Sequence, residues 1–395
     1  MKDLAVPLEL SYTDRQPKAA DVVIIGGGVM GMSAAWHLAE RGVRRIVVVE
    51  QSELGSGSSA KPLGGVRANF SDEANIILGK RSLDFYGTFQ ENFGVDISLN
   101  RVGYLFLAHS DCEAECLAQS TQTQNALGVN SVLVTPDEAA LINPYLDPAS
   151  LTAASFSPQD GHASPAAVVA GLTRACLAKG VTIVNRTQVL DIDRQGDRIT
   201  GVVTNRGHIA TDRIVCAAGA WSGAIGDMAG VWMPVEPVRR MIGLTRQLEN
   251  PHPTIPFTLD LSTTFYFHNY GNGLLLGISH MQEPGFCREF SYDWLAEFND
   301  AASVYAPRLE NPDLVGGWAG YYENTPDHNA LIGAADLDGF YYITGFSGHG
   351  FLQAPAAGEL LADIMLDRES FIDKEVFSAK RFGAKDRMFN EVNII

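Results

Sequence analysis

The segment Asp21-Val-Val-Ile-Ile-Gly26-Gly-Gly28-Val29-Met30-Gly31 sets a G-x-G-x-x-G turn directly after an apolar, β-branched run. In such a turn Gly26 permits the tight bend, Gly28 lets the backbone approach a pyrophosphate, and Gly31 allows a helix to pack close on the strand. Amides freed where that helix begins, at Val29 and Met30, then face the phosphate. The same chemistry needs an acid about twenty residues on, to accept from ribose hydroxyls. Glu50 ends the next apolar run nineteen positions after Gly31, with Gln51 beside it. A bare glycine motif is weak evidence, but strand, turn, helix, strand and acid in this order point to a bound dinucleotide.

Two further segments bear on which dinucleotide. Gly55-Ser-Gly-Ser58-Ser59 is a second loop of small residues, whose hydroxyls and amides can reach the far side of a pyrophosphate. Ile214-Val-Cys-Ala-Ala218-Gly219-Ala-Trp221 is an apolar run ending in small residues, which allows close approach to the same nucleotide. Val189, at the start of another short strand, is placed there too. Taken alone, the Ile214 run is equally a plain core strand and turn. An elongated, two-ended cofactor accounts for all the segments together, and this favours FAD over NAD.

The elements that must position these residues follow from periodicity. Asp21–Ile25 carries a short apolar, β-branched run and Ile46–Val49 is wholly apolar, as in buried parallel strands, and the two enclose a helix from Val29 to Arg41 closed by Gly42. Glu73–Phe93 has helical spacing. Ser164 and Pro165 open a helix running to Lys179, and strands are expected at Gly103–Ala108, Val181–Asn185, Val189–Asp193, Ile199–Asn205, Ile214–Ala217 and Phe340–Thr344. Val231–Gly317 is β-rich, with a hairpin tip at Asn272-Gly273, and a last helix spans Phe351–Leu366. The expected fold is α/β: a Rossmann-type FAD domain (20–95, 155–230 and 325–385) interleaved with a β-rich antiparallel substrate domain (96–154 and 231–324).

Composition narrows the partners. The 395 residues carry a formal charge of −17 at pH 7, which opposes nucleic acid and anionic membranes. An anionic substrate would need capture by local arginines. Five cysteines form no C-x-x-C pair, and Cys112 with Cys116 lacks the further ligands zinc requires. No metal site is therefore expected, and a reducing, cytoplasmic setting is. The first twenty residues have no signal or transit character, and the longest apolar runs are strand-length, so no membrane span is expected.

The block from Gly55 through Leu63, Gly64, Gly65 and Arg67 to Asn75 resembles the flavin loop of the D-amino-acid-oxidase-like flavoproteins, in the branch of the sarcosine oxidases and the proline dehydrogenase β-subunit. Gly345-Phe-Ser-Gly348-His349-Gly350-Phe351-Leu352 resembles that branch's second flavin signature. Trp318-Ala-Gly-Tyr-Tyr-Glu-Asn-Thr-Pro-Asp327, Gln353-Ala-Pro355 and Asn393-Ile-Ile395 are most similar to a group of mitochondrial complex I assembly oxidoreductases and their bacterial relatives. The resemblance implies FAD and oxidation of a C–N bond in a secondary or tertiary amino acid. Gly320 stands where some relatives carry a flavin-linked cysteine, which implies non-covalent FAD. Leu275 and Leu352 replace the oxygen-activating and carboxylate-binding lysines of sarcosine oxidases. Arg67, matching their carboxylate-binding arginine, becomes the main anchor.

That chemistry needs the substrate α-C–H near flavin N5 and an unprotonated amine, followed by imine hydrolysis. The protein then supplies positioning and electrostatics. The planar fork of Arg67 suits a carboxylate. The helix after His349 points its positive end toward the reduced ring, and His349 either packs beside that ring or is structural. Tyr266 and His268 share one strand face by period two and form a substrate cage if that face meets the flavin; His280 lies beside them. Arg239 or Arg240 offers a second anionic contact, while Asp111, Glu113 and Glu115 read as a solvated helix face. Sarcosine, dimethylglycine, iminodiacetate and proline-like substrates fit, with the electron acceptor unknown and a second subunit or homo-oligomer open. The competing functions are a flavin-stabilised respiratory-complex assembly or partner-binding protein, and an NAD-linked dehydrogenase.

Overall fold

The computed structural model describes residues 15–61, 63–279, 282–383, 391 and 393. Residues 1–14, His280 and the terminal Ile394-Ile395 of the sequence expectations lie outside them. The strands Val22–Ile25 and Ile46–Val49 pair in parallel at the centre of a six-stranded sheet. Thr182–Val184 extends it on one side; Ile214–Cys216, Phe340–Thr344 and the antiparallel edge Leu331–Ala334 extend it on the other. The central strands are buried along their whole length, as expected of strands covered on both faces. One face carries the helices Val29–Glu40, Pro165–Ala178 and Gly350–Met365. The other is closed by a three-stranded sheet of Val189–Gln195, Arg198–Thr204 and Gly207–Ala210.

An eight-stranded sheet supplies the second layer. Its strands come from two stretches of chain, Tyr104–Ala108 to Ala153–Ser157 and Glu236–Thr245 to Leu314–Asn324. The pairings are antiparallel except Phe257–Asp260 with Tyr104–Ala108, where the two stretches meet in parallel. Among the described residues no helix is long and apolar enough to cross a membrane.

Three local expectations are corrected. The Glu73–Phe93 helix breaks at Thr88 into Glu73–Gly87 and Phe89–Phe93, because the Thr88 amide turns back to the Phe85 carbonyl rather than continuing the helical ladder. The hairpin tip is Gly271-Asn272, one residue earlier than expected, with Gly271 in the left-handed region. Glu113 is not a solvated face residue: its carboxylate closes a capping box on Ser110 and accepts from the His109 amide and the Ser262 hydroxyl.

Candidate functional site

The two layers enclose one elongated cavity of about 1950 Å³, its open mouth included. At one end the glycine turn, Glu50, Gln51, Val189 and Ala217–Gly219 line it; Ser58, Ser59 and Leu63–Gly65 follow; Arg67, Tyr104, Arg240, Tyr266 and Tyr322 share the wall with Gly348–Leu352.

Local geometry builds the nucleotide end. Gly26 has φ +115°, and a Cβ there would lie 2.2 Å from the Ala217 carbonyl oxygen, so only glycine lets the neighbouring strand end pass. Glu50 accepts from the Gly27 amide through Oε2 and from the Ser52 amide through Oε1, both at 2.8 Å. Burial raises its pKa against the pull of those amides. Ser59 Oγ accepts from the Val29 amide at 2.9 Å, and Ser58 Oγ donates to the Tyr321 carbonyl at 2.9 Å. The second loop is thereby tied both to the first helix and to the Leu314–Asn324 strand.

Gly31, grouped with the cofactor-binding glycines of the motif, keeps the packing role the motif gives it and makes no cavity contact of its own. A Cβ at this position would stand 1.9 Å from the Gly26 carbonyl oxygen, so its role is the close seating of helix on turn.

The other end is a box of aromatics around cations. Arg67 is 2% exposed. Its Nη2 donates to the Asn393 carbonyl at 2.6 Å, Nη1 reaches Asn69, and the guanidinium sits 3.9 Å from the Phe70 ring centre. Arg240 faces Tyr322, with 5.2 Å between guanidinium carbon and ring centre. Burial raises the phenols of Tyr104, Tyr266 and Tyr322, keeping them protonated. His349 lines the cavity edge-on to Phe70; burial first, then Arg67 and His328, lowers its pKa well below the usual value, so the ring is neutral. Glu323 also lines this wall, its carboxyl pushed up to about 7 by burial.

The placement of His268 is corrected. It shares the strand and the aromatic layer of Tyr266 but stacks on Phe257 at 4.6 Å and does not line the cavity. Nδ1 faces the Asn269 carbonyl at 2.8 Å, and burial with His162 nearby pushes the ring down to about 3. Of the arginine pair, Arg240 enters the cavity, whereas Arg239 turns away to Gln282 and the Glu289 carbonyl. Leu275 is buried in the sheet and does not line the cavity; Leu352 does. Sequence reasoning missed Tyr104 and Tyr322 as site residues, because a lone tyrosine on a strand carries no signal until its facing neighbours are known.

A glycine turn under a parallel sheet, joined by one long cavity to a cationic, aromatic box under a second sheet, defines a dinucleotide-dependent oxidoreductase. The lining fits a two-ended cofactor, with a glycine turn that a Cβ at Gly26 would block at one end, and protonated phenols with a neutral His349 at the other. The FAD dependent oxidoreductase (DAO) family matches residues 21–364, and the chain belongs to it: it is an FAD-dependent enzyme. It is 30% identical to the FAD-dependent oxidoreductase domain-containing protein 1 of Bos taurus, over 93% of this chain and 86% of that protein. It is 26% identical to the 4-methylaminobutanoate oxidase (formaldehyde-forming) of Paenarthrobacter nicotinovorans, covering 94% of this chain but spanning only 46% of that protein's length. The solved structure of L-proline dehydrogenase from P. horikoshii superposes with a TM-score of 0.88 at 33% identity, covering 94% of this chain and 99% of that one.

Proposed function

We propose that this enzyme oxidises the C–N bond of an N-substituted amino acid, with FAD held non-covalently. The observation that carries this is Arg67: a buried guanidinium in the wall of the same cavity as the glycine turn and the Gly348–Leu352 turn. The substrates in the names of the P. horikoshii and Paenarthrobacter relatives, proline and an N-methyl amino acid, support the class. FAD, when bound, supplies the two-electron acceptor for the C–H bond beside the nitrogen, and the resulting imine hydrolyses in water to amine and aldehyde or oxo acid.

The chain's own residues do the rest. Arg67 fixes the carboxylate and so the position of the α-carbon. Arg67 and Arg240 together lower the pKa of an amine held between them, which favours the neutral form that gives up hydride. Tyr104, Tyr266 and Tyr322 surround the substrate with protonated phenols and exclude water. The portions 20–95, 155–230 and 325–385 serve the cofactor in this scheme, and 96–154 with 231–324 serve the substrate. The residue Ala153–Ser157 strand crosses that boundary within the eight-stranded sheet. Gly320 offers no thiol for a flavin bond, in keeping with non-covalent FAD, and Leu275 no ammonium for oxygen activation, which favours a dehydrogenase or a slow oxidase over a fast oxidase.

Anaerobic mixing with sarcosine, dimethylglycine, iminodiacetate and proline tests the class. At least one is expected to bleach the long-wavelength flavin band. If none does, the substrate class is wrong, and FAD would then serve a partner-binding protein as a structural group.

A further inference from the structure

Two guanidiniums share the substrate end of this cavity, and one carboxylate occupies only one of them. Arg67 has structural partners in Asn69 and the Asn393 carbonyl. Arg240 is supported much less. It lies on the Glu236–Thr245 strand opposite Gly320, a residue without a side chain, and among the described residues its one side-chain hydrogen bond runs from Nη1 to the Arg239 carbonyl at 3.2 Å. Its Nε is buried with no partner, and it has no carboxylate ion pair among the described residues. Tyr322 stands between the two cations and feels the charge of both.

A half-buried guanidinium with an unmet N–H, in the same cavity as a second buried cation, is an incomplete anion site. Leaving a buried charge unpaired is costly, and a planar fork is the side chain best matched to a carboxylate. Among the described residues nothing in the wall beside Arg240 supplies that partner, since Tyr266 and Tyr322 are protonated phenols. The ligand is the remaining source.

We infer that the preferred substrate is an N-substituted amino acid bearing a second carboxylate, held by Arg240 while Arg67 holds the first. This rests on the C–N oxidation proposed above and specifies its substrate class. The two carboxylates lie on either side of the amine, as in an iminodiacetate-type skeleton, so that one cation grips each arm. The balance of the reaction is unchanged: hydride leaves one arm's α-carbon to the flavin, and water adds to the C=N bond.

The test compares two pairs of compounds on the holoenzyme. Thiodiacetate and (methylthio)acetate, which lack the amine, are titrated against the flavin absorbance spectrum; iminodiacetate and sarcosine are mixed anaerobically for flavin reduction. In the wild type the dicarboxylates are expected to bind at least tenfold tighter than the monocarboxylates. Arg240→Gln is expected to abolish that preference, while Arg240→Lys restores part of it. FAD content, measured after desalting, should be the same in all three proteins. Equal binding of mono- and dicarboxylates by the wild type overturns the inference. So does an Arg240→Gln variant that loses FAD with its ligand discrimination intact, because Arg240 would then serve the cofactor. If sarcosine reduces the flavin and iminodiacetate does not, C–N oxidation stands and only the second-carboxylate site falls. If neither does, yet thiodiacetate still binds through Arg240, the anion site stands and the oxidation class falls.

Discussion

Arg67→Lys separates anchoring from mere positive charge. The native guanidinium is 2% exposed, donates to the Asn393 carbonyl at 2.6 Å and lies over Phe70 at 3.9 Å. Those contacts hold the fork in one orientation, so a carboxylate can take two parallel bonds from it with little ordering cost. A charge-assisted hydrogen bond contributes about 1.5–3 kcal/mol, and lysine keeps one of the two. The expected loss in substrate affinity is therefore about 10–150-fold. The assay is anaerobic stopped-flow reduction, with the dissociation constant taken from the concentration dependence. Lysine also leaves the Asn393 carbonyl poorly satisfied, costing about 1–3 kcal/mol of stability. Thermal unfolding of holoenzyme without substrate measures that part separately. Unchanged substrate affinity in a folded Arg67→Lys variant would refute the anchoring role.

Three further outcomes are expected. Gly31→Ala forces the helix start away from the Gly26 carbonyl, now 1.9 Å from the added Cβ; with an overpacking cost of about 1–3 kcal/mol, the apoprotein should melt lower and FAD affinity fall with it. Unchanged apoprotein melting with lost flavin would instead place Gly31 against the cofactor. Asp160, buried with Oδ2 unpartnered, has its carboxyl pushed up to about 7 by burial, against the Ala68 amide and Arg67. The folded state therefore holds this proton more tightly than the unfolded state, and stability falls as pH rises from about 4 to about 7. Asp160→Asn should remove that part of the slope in urea unfolding, and parallel curves for the two proteins would contradict the assignment. Acid precipitation should release the flavin to the supernatant; yellow colour in the pellet would show a covalent bond.

The nucleotide end was readable because its signals are local. Gly26, Gly28 and Glu50 sit within one strand–turn–helix–strand unit, and their spacing alone implies the geometry. The substrate end was not, because it is made by strands far apart in sequence. Period two says that Arg239 and Arg240 point opposite ways, but only the pairing with the Leu314–Asn324 strand decides which one meets the cavity. The same limit applies to His268: sharing a face with Tyr266 was legible, but its stacking on Phe257, away from the cavity lining, was not.

The interleaving of the six-stranded sheet has a temporal consequence. Its strands come from Val22–Ile25 and from Phe340–Thr344, and Ser33 Oγ on the first helix donates to the Ala354 carbonyl on the last at 2.7 Å, 321 residues away. Contacts of such separation close late, because the loop entropy of the intervening chain must be met first. The glycine turn and the Gly348–Leu352 turn face one cavity only after that closure. Flavin capture then becomes a clock for folding: the colour of the protein should appear with the last long-range contacts to form, after most of its secondary structure is already in place.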